Sequence, residues 1–468
     1  MTAPVIVVGA GPVGLMLAGE LRLGGVDVLV LERNEKPSGE SRGLGFTARA
    51  TEIFQQRGLL QRFGQVETSP QGHFGGIPMD FSVLPGSHFG ARGIAQHRIE
   101  SMLEDWASEL GAEVLRGHEV VGVRQHADGV VAIVDGDDGL VEFDGCYLVA
   151  CDGGRSTVRG LAGFDFPGTE AVREMYLADV VGQDIRPRFI GERVAGGMVM
   201  SAPLEPGVDR IIVCERGTPP RERREAPDFT EVADAWQRLT GESLHGAEIR
   251  WVSAFTDATR QATEYRRGRF LVAGDAAHTH LPAGGQGLSL GVQDAVNLGW
   301  KLAATVRGWA PPDLLDTYHS ERHPVGARVL RNTRAQGHLY LSGDEVEPLR
   351  EVMAELIRIP EVGRHLSGMV SGLDVRYDVG PGTHPLLGRR MPDVSLRTGR
   401  GLLTGPTAEA ATDYSHRVDL RPGGEPVLVR PDGYVVWAGG DGLDDALRQW
   451  FGEPKSVTER QLDSCTAP

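Results

Sequence analysis

The chain opens with an apolar strand pattern, Val5-Ile6-Val7-Val8, that runs straight into Gly9-Ala10-Gly11-Pro12-Val13-Gly14. A helical stretch to Gly24 and a second apolar run, Val28-Leu29-Val30-Leu31, lead to Glu32. This is the G-x-G-x-x-G turn between strand and helix, with an acid near the spacing of roughly 20 residues that a dinucleotide-binding fold uses. No other feature constrains the chain as much, because each glycine has a steric task. Gly9 permits the tight turn, Gly11 lets backbone approach a pyrophosphate, and Gly14 allows helix and strand to pack closely. The helix N-terminus at Pro12 and Val13 supplies partial positive charge to the phosphates, and Glu32 accepts from the adenosine ribose hydroxyls. Alone, the motif serves FAD or NAD equally well.

Two later segments favour the flavin. Tyr147-Leu148-Val149-Ala150-Cys151 reads as a strand opening onto Asp152-Gly153-Gly154-Arg155-Ser156, and Phe270-Leu271-Val272-Ala273 opens onto Gly274-Asp275-Ala276-Ala277-His278. Both put a carboxylate at the C-terminal edge of a strand, where open α/β sheets bind ligands. Beyond Asp275 come Pro282 and Gly284-Gly285-Gln286-Gly287, then a helical apolar pattern through Val292, Ala295, Val296, Leu298 and Leu302. A glycine-rich helix start aims N–H groups at an anion, and a reduced isoalloxazine is anionic along its N1/C2-carbonyl edge. An NAD enzyme has no use for this third segment.

Gly9 to Gly14, Cys151 to Arg159, and Gly274-Asp275 through Asn297-Leu298 resemble the three fingerprints of the single-component FAD aromatic hydroxylases, the para-hydroxybenzoate hydroxylase class. Within it, Glu40 to Arg49 and Gln71-Gly72-His73-Phe74-Gly75-Gly76 are similar to tailoring hydroxylases of aromatic polyketide pathways, especially the angucycline hydroxylases. The similarity runs from residue 1 to about 395. It implies non-covalent FAD held by Gly9, Gly11, Pro12, Val13, Gly14, Glu32, Arg33, Arg42, Gln96, Val120, Asp152, Gly153, Gly274, Asp275, Pro282, Gly285, Gly287, Leu288 and Ser289. In that set Glu32 and Arg33 hold the adenosine, Arg42 and Gln96 reach the phosphates or ribityl chain, Asp152 supports the pyrophosphate region and Asp275 holds the ribityl. Ser289 departs from the pattern, since the family often has Asn there. That loses an amide near the pyrimidine edge and keeps the backbone donors.

The implied fold class is α/β plus α+β: a Rossmann-like FAD-binding domain (1–70, 98–172, 266–380), an inserted antiparallel-sheet substrate domain (71–97, 173–265) and a small thioredoxin-like C-terminal domain (381–468). In the insert, Asp228-Phe229-Thr230-Glu231 starts a helix in which Trp236 is a core residue. Short β-rich runs surround it at Met175 to Val180, Gly197 to Met200, Arg210 to Cys214 and Ile249 to Phe255. That sheet is the natural floor of a pocket over the flavin, and residues 71–97 are expected to pair with it. Phe46, His73, Phe89, Met200 and Phe255 are the substrate-facing candidates, each with sheet packing as the plainer reading. His278 and His280 are read as fixing their turn by hydrogen bonds.

Composition agrees. The 468 residues suffice for about three domains, and a net charge of −16 argues against nucleic acid or an anionic membrane surface as partner. Cys146, Cys151, Cys214 and Cys465 show no C-x-x-C and no ligand-like spacing with His, so neither disulfides nor a metal is indicated. With the first strand at Val5 and no apolar run near ~20 residues, a cytoplasmic protein is expected. Near the end, Val427 to Arg430 and Tyr434 to Ala438 flank Pro431-Asp432-Gly433 as a hairpin before a last helix at Leu443 to Phe451. Residues 401–424 look too few for the helix and strand of the family, and removal of the chain after Pro381 is expected to leave the flavin site intact.

By the resemblance the activity is an NAD(P)H- and O2-dependent hydroxylation of a polycyclic aromatic polyketide, with oxygen adding at flavin C4a, in angucycline-like antibiotic biosynthesis. The cofactor carries the chemistry and the protein supplies orientation and water exclusion. With one G-x-G-x-x-G, NADPH must dock transiently, and Arg42 with Gly43 to Gly45 is a partner for a flavin ring that swings to meet it. A homodimer is the expected protein partner. Baeyer–Villiger insertion, another flavin oxidoreduction on this fold, or a non-catalytic flavin-binding scaffold are the alternatives.

Overall fold

The computed structural model describes residues 3–454 except 42, 44, 67, 86–90, 137–138 and 224, so that Arg42, Phe89 and Cys465 lie outside the described residues. A six-stranded sheet organises the first domain, in the order Arg266–Arg267, Phe270–Val272, Tyr147–Ala150, Val5–Val8, Val28–Glu32, Glu113–Arg116. All neighbours are parallel except the edge pair Arg266–Arg267 with Phe270–Val272. Strands buried on both faces need continuous apolar runs, and VIVV, VLVL and YLVA supply them. On one side the helix Pro12–Leu23 packs between Gln96–Glu109 and Gln286–Val306. The approach is close: a Cβ on Gly299 would lie 2.5 Å from Glu20 Cβ, and one on Gly24 would lie 2.3 Å from Ala303 Cβ.

The second domain is a five-stranded antiparallel sheet, ordered Arg188–Val194, Gly197–Glu205, Val208–Glu215, Glu174–Val181, Glu248–Thr256. Its helix Phe229–Thr240 starts at Asp228, whose carboxylate accepts from Thr230 N at 2.7 Å, and stops at the left-handed Gly241. Period-2 alternation sends Tyr176, Ala178, Val180, Val199, Ile211 and Val213 to this helix, where Trp236 is wholly buried.

The described residues of 71–97 do not pair with that sheet. Gln71–Phe74 and Ile77–Asp80 form their own hairpin, which packs on the helices Glu347–Ile357 and Pro360–Ser371, and Ala91–Gly93 pairs with Gly45–Phe46 and Thr68–Ser69. A turn at Gly75 and Gly76, both with positive φ, closes the strands on each other before either can reach the larger sheet.

The last domain holds a four-stranded sheet, Val418–Arg421, Gly401–Thr404, Val427–Val429, Val435–Ala438, covered by Leu443–Phe451. The hairpin turn at Pro431-Asp432-Gly433 is as expected, with Gly433 N donating to Arg430 O at 2.9 Å. Residues 401–424 do hold two strands and a helix. The parallel strands Gly401–Thr404 and Val418–Arg421 are joined by the 3-10 segment Pro406–Tyr414, kinked at Ala411, whose larger rise per residue spans the crossover with fewer residues than an α-helix needs.

Candidate active site

In-register parallel pairing decides where the three glycine segments meet. Val8 is level with Leu31 and Ala150, and Ala150 is level with Val272. The next residues, Gly9, Glu32, Cys151-Asp152 and Ala273-Gly274, therefore emerge along one sheet edge. Backbone bonds lock them: Gly9 N donates to Leu31 O (2.8 Å), Cys151 N to Val8 O (2.8 Å) and Ala273 N to Ala150 O (3.0 Å). A Cβ on Gly14 would sit 1.9 Å from Gly9 O, so only glycine lets this helix start so near the turn.

The edge fits a dinucleotide with a flavin. Neither Gly11 nor Gly285, the residues that cap the helices Pro12–Leu23 and Gln286–Val306, provides a side-chain acceptor, so the first N–H groups of both helices are available to ligand oxygens. A Cβ at Gly11, Gly153 or Gly285 would meet nothing within 4 Å, which leaves room for a group to approach the backbone. Glu32 accepts from Ala10 N (2.8 Å) and Asn34 N (2.9 Å), so it braces the first turn while keeping lone pairs for hydroxyl donors.

The remaining candidates fall into two groups. Arg33, Asp275, Pro282 and Gly285 are exposed, with Gly287 and Leu288 half-buried behind them. Others act within the scaffold. Asp152 accepts from Ser156 Oγ (2.5 Å) and Val158 N (3.1 Å), capping the helix Thr157–Leu161, while Gly153 has φ +81°. Gln96 accepts from Gly43 N (2.9 Å) and donates to Glu100 (2.8 Å). Val13 wedges between Gly274 and Gly291, where added Cβ atoms would come within 2.8 and 2.5 Å of its methyls. Val120 is buried in the core. Ser289 Oγ accepts from Thr47 N at 2.8 Å, so its hydroxyl ties the Gly45–Phe46 strand to the helix.

Sequence reasoning missed the cluster beneath this edge. Asp294 is fully buried and accepts from Gly274 N (3.2 Å), His278 Nε2 (2.7 Å) and Arg322 Nε (2.7 Å). Arg322 continues to Tyr377 Oη (3.0 Å) and Leu290 O (3.2 Å). Burial pushes the Asp294 carboxyl up, but Arg322 and His278 outweigh it and hold the group below the usual carboxylate range. Asp294 thus anchors the turn that presents Asp275, and His278 is structural. The single acidic residue of the helix Gln286–Val306 was the available signal. Arg159 was missed too: it donates to Gly154 O (3.0 Å) and Ala276 O (3.1 Å), fastening the second segment to the third. His280 Nδ1 donates to Leu281 O (2.8 Å), and burial lowers its pKa.

The second face of the five-stranded sheet meets the loop after Asp275. Met175, Met198 and Cys214, with Met200, Ile212 and Phe255 at the margin, cluster with Leu281, Ala283 and Tyr340. Met200 and Phe255 are thereby brought beside the Leu281–Ala283 loop. His73 lies 5.6 Å from the Tyr340 ring, and its Nδ1 accepts from Gly76 N (3.1 Å). Phe46 goes elsewhere, into the core against Phe54 (4.9 Å) and Phe63 (5.9 Å). On the same face Arg210 and Asp179, directly opposite each other, form a buried pair at 2.7 Å, and Arg210 also donates to Ser41 O.

Comparison with known proteins accords with this geometry. Residues 2–333 match the FAD binding domain family, and residues 384–454 match the C-terminal domain of aromatic-ring hydroxylases. The crystal structure of CabE, an aromatic hydroxylase from angucycline biosynthesis, is 58% identical with a TM-score of 0.93, covering 97% of this chain and 100% of that one. The 12-dehydrotetracycline 5-monooxygenase/anhydrotetracycline 6-monooxygenase of Streptomyces rimosus is 44% identical over 502 residues, spanning 97% of this chain and 100% of its own length. The dialkyldecalin synthase of Streptomyces rugosporus is 40% identical over 481 residues, 97% of this chain and 99% of its own. A matched cofactor domain, a matched hydroxylase C-terminal domain and the three converging segments together make this chain a member of the FAD-dependent aromatic-ring hydroxylases.

Proposed function

We propose that the protein hydroxylates a polycyclic aromatic polyketide, using FAD, O2 and a reduced nicotinamide nucleotide, as a tailoring step of angucycline-like biosynthesis. The observation that carries this reading is the meeting of the sheet face of Met175, Met198, Met200 and Phe255 with the Leu281–Ala283 loop, directly after the segment that presents Asp275. When bound, FAD would supply the redox chemistry, namely transfer of reducing equivalents from the nucleotide and of one oxygen atom of O2 to an electron-rich carbon, with the other oxygen leaving as water.

The chain's residues do the rest. The N–H groups at Gln286 to Leu288 would serve the flavin's anionic edge, Glu32 and the Pro12 helix start would hold the adenosine diphosphate half, and Asp275 would accept from the ribityl hydroxyls. The methionine and phenylalanine side chains stack on flat apolar rings and exclude water, which protects a reactive oxygen donor from hydrolysis. His73 orients substrate as a neutral donor. Its Nδ1 already accepts from Gly76, which leaves the hydrogen on Nε2 for a carbonyl or phenol oxygen. NADPH docks transiently, the chain is a homodimer, and it works in the cytoplasm where its reductant is made.

The test is turnover of a panel of angular polyphenols under 18O2 with NADPH. One labelled oxygen in the product, with NADPH consumed in step, is the expected result. A product isomeric with the substrate and free of label would overturn hydroxylation and place the chain beside its synthase relative.

A further inference from the structure

Three buried side-chain amides form one continuous chain between the hairpin turn and the flavin loop. Gly75 N donates to Gln336 Oε1 (3.0 Å), Gln336 Nε2 to Asn332 Oδ1 (3.0 Å), Asn332 Nδ2 to Gln286 Oε1 (3.1 Å), and Gln286 Nε2 to Ala283 O (3.0 Å). Exposure is 0% for Gln336 and 4% for both Asn332 and Gln286. Both ends are backbone groups of fixed polarity, so the orientation of every amide between them is fixed as well. Four bonds pointing one way polarise one another, and breaking any one leaves two buried polar groups without partners.

The ends of the chain are the informative part. At one end the Gly75–Gly76 turn carries His73, whose Nδ1 accepts from Gly76 N. At the other end Ala283 begins the loop whose left-handed Gly284 and Gly285 set the start of the helix Gln286–Val306. Gln336 and Asn332, four residues apart on one face of the helix Thr317–Leu341, hold the two at a fixed separation.

We propose that Gln286, Asn332 and Gln336 are positioning residues that couple the substrate-side hairpin to the flavin-side loop, so that ordering one end orders the other. The inference rests on the 282–287 loop lying against the flavin. Gln336→Met keeps the volume and cuts the chain at the hairpin end. It raises the FAD dissociation constant by roughly 2- to 30-fold and perturbs the visible flavin band, although Gln336 is two amides removed from Ala283. Arg350→Gln is the control, because it removes the other bond to the same turn (Nη1 to Gly75 O, 2.6 Å) and lies outside the chain. It lowers Tm and, because the amide chain stays intact, raises the FAD dissociation constant less than Gln336→Met does. Asn332→Asp is a second cut above the pH at which the new carboxyl ionises, since the carboxylate still accepts from Gln336 but has no hydrogen for Gln286.

Parent-like FAD affinity and spectrum in folded Gln336→Met and Asn332→Asp would overturn the proposal. The parent protein gives an independent reading by hydrogen exchange of the 71–80 segment. Slower exchange on FAD binding supports the coupling, and equal exchange with and without FAD refutes it. Gly285→Val separates the two premises. If it binds FAD as the parent does, the loop placement fails; if it loses FAD while Gln336→Met does not, only the amide chain fails.

Discussion

Arg430 and Glu321 form a two-pronged ion pair at 2.6 and 2.8 Å that fastens the C-terminal hairpin to the helix Thr317–Leu341, with the two side chains 0% and 6% exposed. Lys301 donates to the same carboxylate at 2.8 Å, and Asn297 bridges it to Asp432. The Arg430 guanidinium also lies over the ring of Trp450 at 4.6 Å, with Trp300 and Tyr377 nearby. A second joint is built by Arg57, which pairs with Glu20 at 2.5 and 2.7 Å and donates to Leu396 O and Pro431 O. The C-terminal domain therefore brings Arg430, itself paired with Asp432 at 2.5 Å, to a carboxylate buried in the flavin domain, and gives Arg57 two carbonyl acceptors.

The first prediction follows from that dependence and reverses the expectation of a removable segment. Truncation after Pro381 strips Glu321 of Arg430 and leaves Arg57 with unpaired donors. The truncated protein is expected to be insoluble or to bind no FAD. Arg430→Met leaves Glu321 with Lys301 and Asn297 and takes the ion-pair partner from Asp432, and removing one partner of a buried pair costs about 3–5 kcal/mol. Urea unfolding of the full-length variant measures it, and a loss below about 1 kcal/mol would show that the joint contributes little.

A second prediction concerns acid stability. Burial raises the Glu321 pKa, but Arg430 and Lys301 overcome this and bring it from an ordinary 4.5 to about 2. A carboxylate with a depressed folded pKa stabilises the fold above its unfolded value, and that stability is lost as pH falls from about 4.5 through about 2. Lys301 acts in the same direction in a higher pH window. Burial lowers it from 10.5 to about 8 despite Glu321, so between those values the unfolded state binds more protons and stability rises with pH. Tm measured against pH should drop steeply below about 4.5 in the parent and less steeply in Glu321→Gln.

Asp275 and Asp294 provide a third, paired prediction. Asp275 is exposed at the sheet edge, and Asp294 is buried under it with three donors. Asp275→Ala should weaken FAD by roughly 1.5–3 kcal/mol, the scale of a hydrogen bond to a charged group, with Tm of the apoprotein unchanged. Asp294→Asn should lower apoprotein Tm, because Arg322 loses its buried counter-charge. Equal effects of the two substitutions on apoprotein Tm would contradict this division of labour.

The sequence was most legible where local chemistry dictates local structure. Gly9, Gly14 and the run of apolar residues after Val28 leave one way to build a strand–turn–helix–strand unit, and Asp228 with Gly241 brackets a helix by capping alone. The hairpin at Pro431-Asp432-Gly433 was equally readable. Relations between distant residues were not. Nothing near Asp294 in sequence says that Arg322 will neutralise it, and nothing near Arg430 names Glu321, because such pairs exist only once the domains have closed on them. Phe46 shows the same limit: an aromatic residue beside a glycine loop reads as a pocket wall, and only tertiary packing against Phe54 and Phe63 makes it core. The hairpin at 71–80 was misassigned to the large sheet because strand patterns carry no information about which sheet they join.

The last prediction tests the role proposed for His73. Burial lowers its pKa from 6.5 to about 4, so the ring is neutral at physiological pH and presents a fixed Nε2 hydrogen. Because the unfolded state holds its proton up to 6.5, this residue lowers stability as pH falls through that window and contributes nothing pH-dependent above it. Substrate affinity should accordingly stay flat through pH 6.5, where an ordinary exposed histidine would change charge, and fall only as pH approaches about 4. His73→Phe keeps the contact with Tyr340 and removes the donor, which should weaken binding of a hydroxylated polyphenol by about 2- to 13-fold, the range of one neutral hydrogen bond. Quenching of bound-flavin fluorescence on titration with that ligand reads the affinity. An unchanged dissociation constant in His73→Phe would remove His73 from the substrate site and leave it as a brace for the Gly76 turn alone.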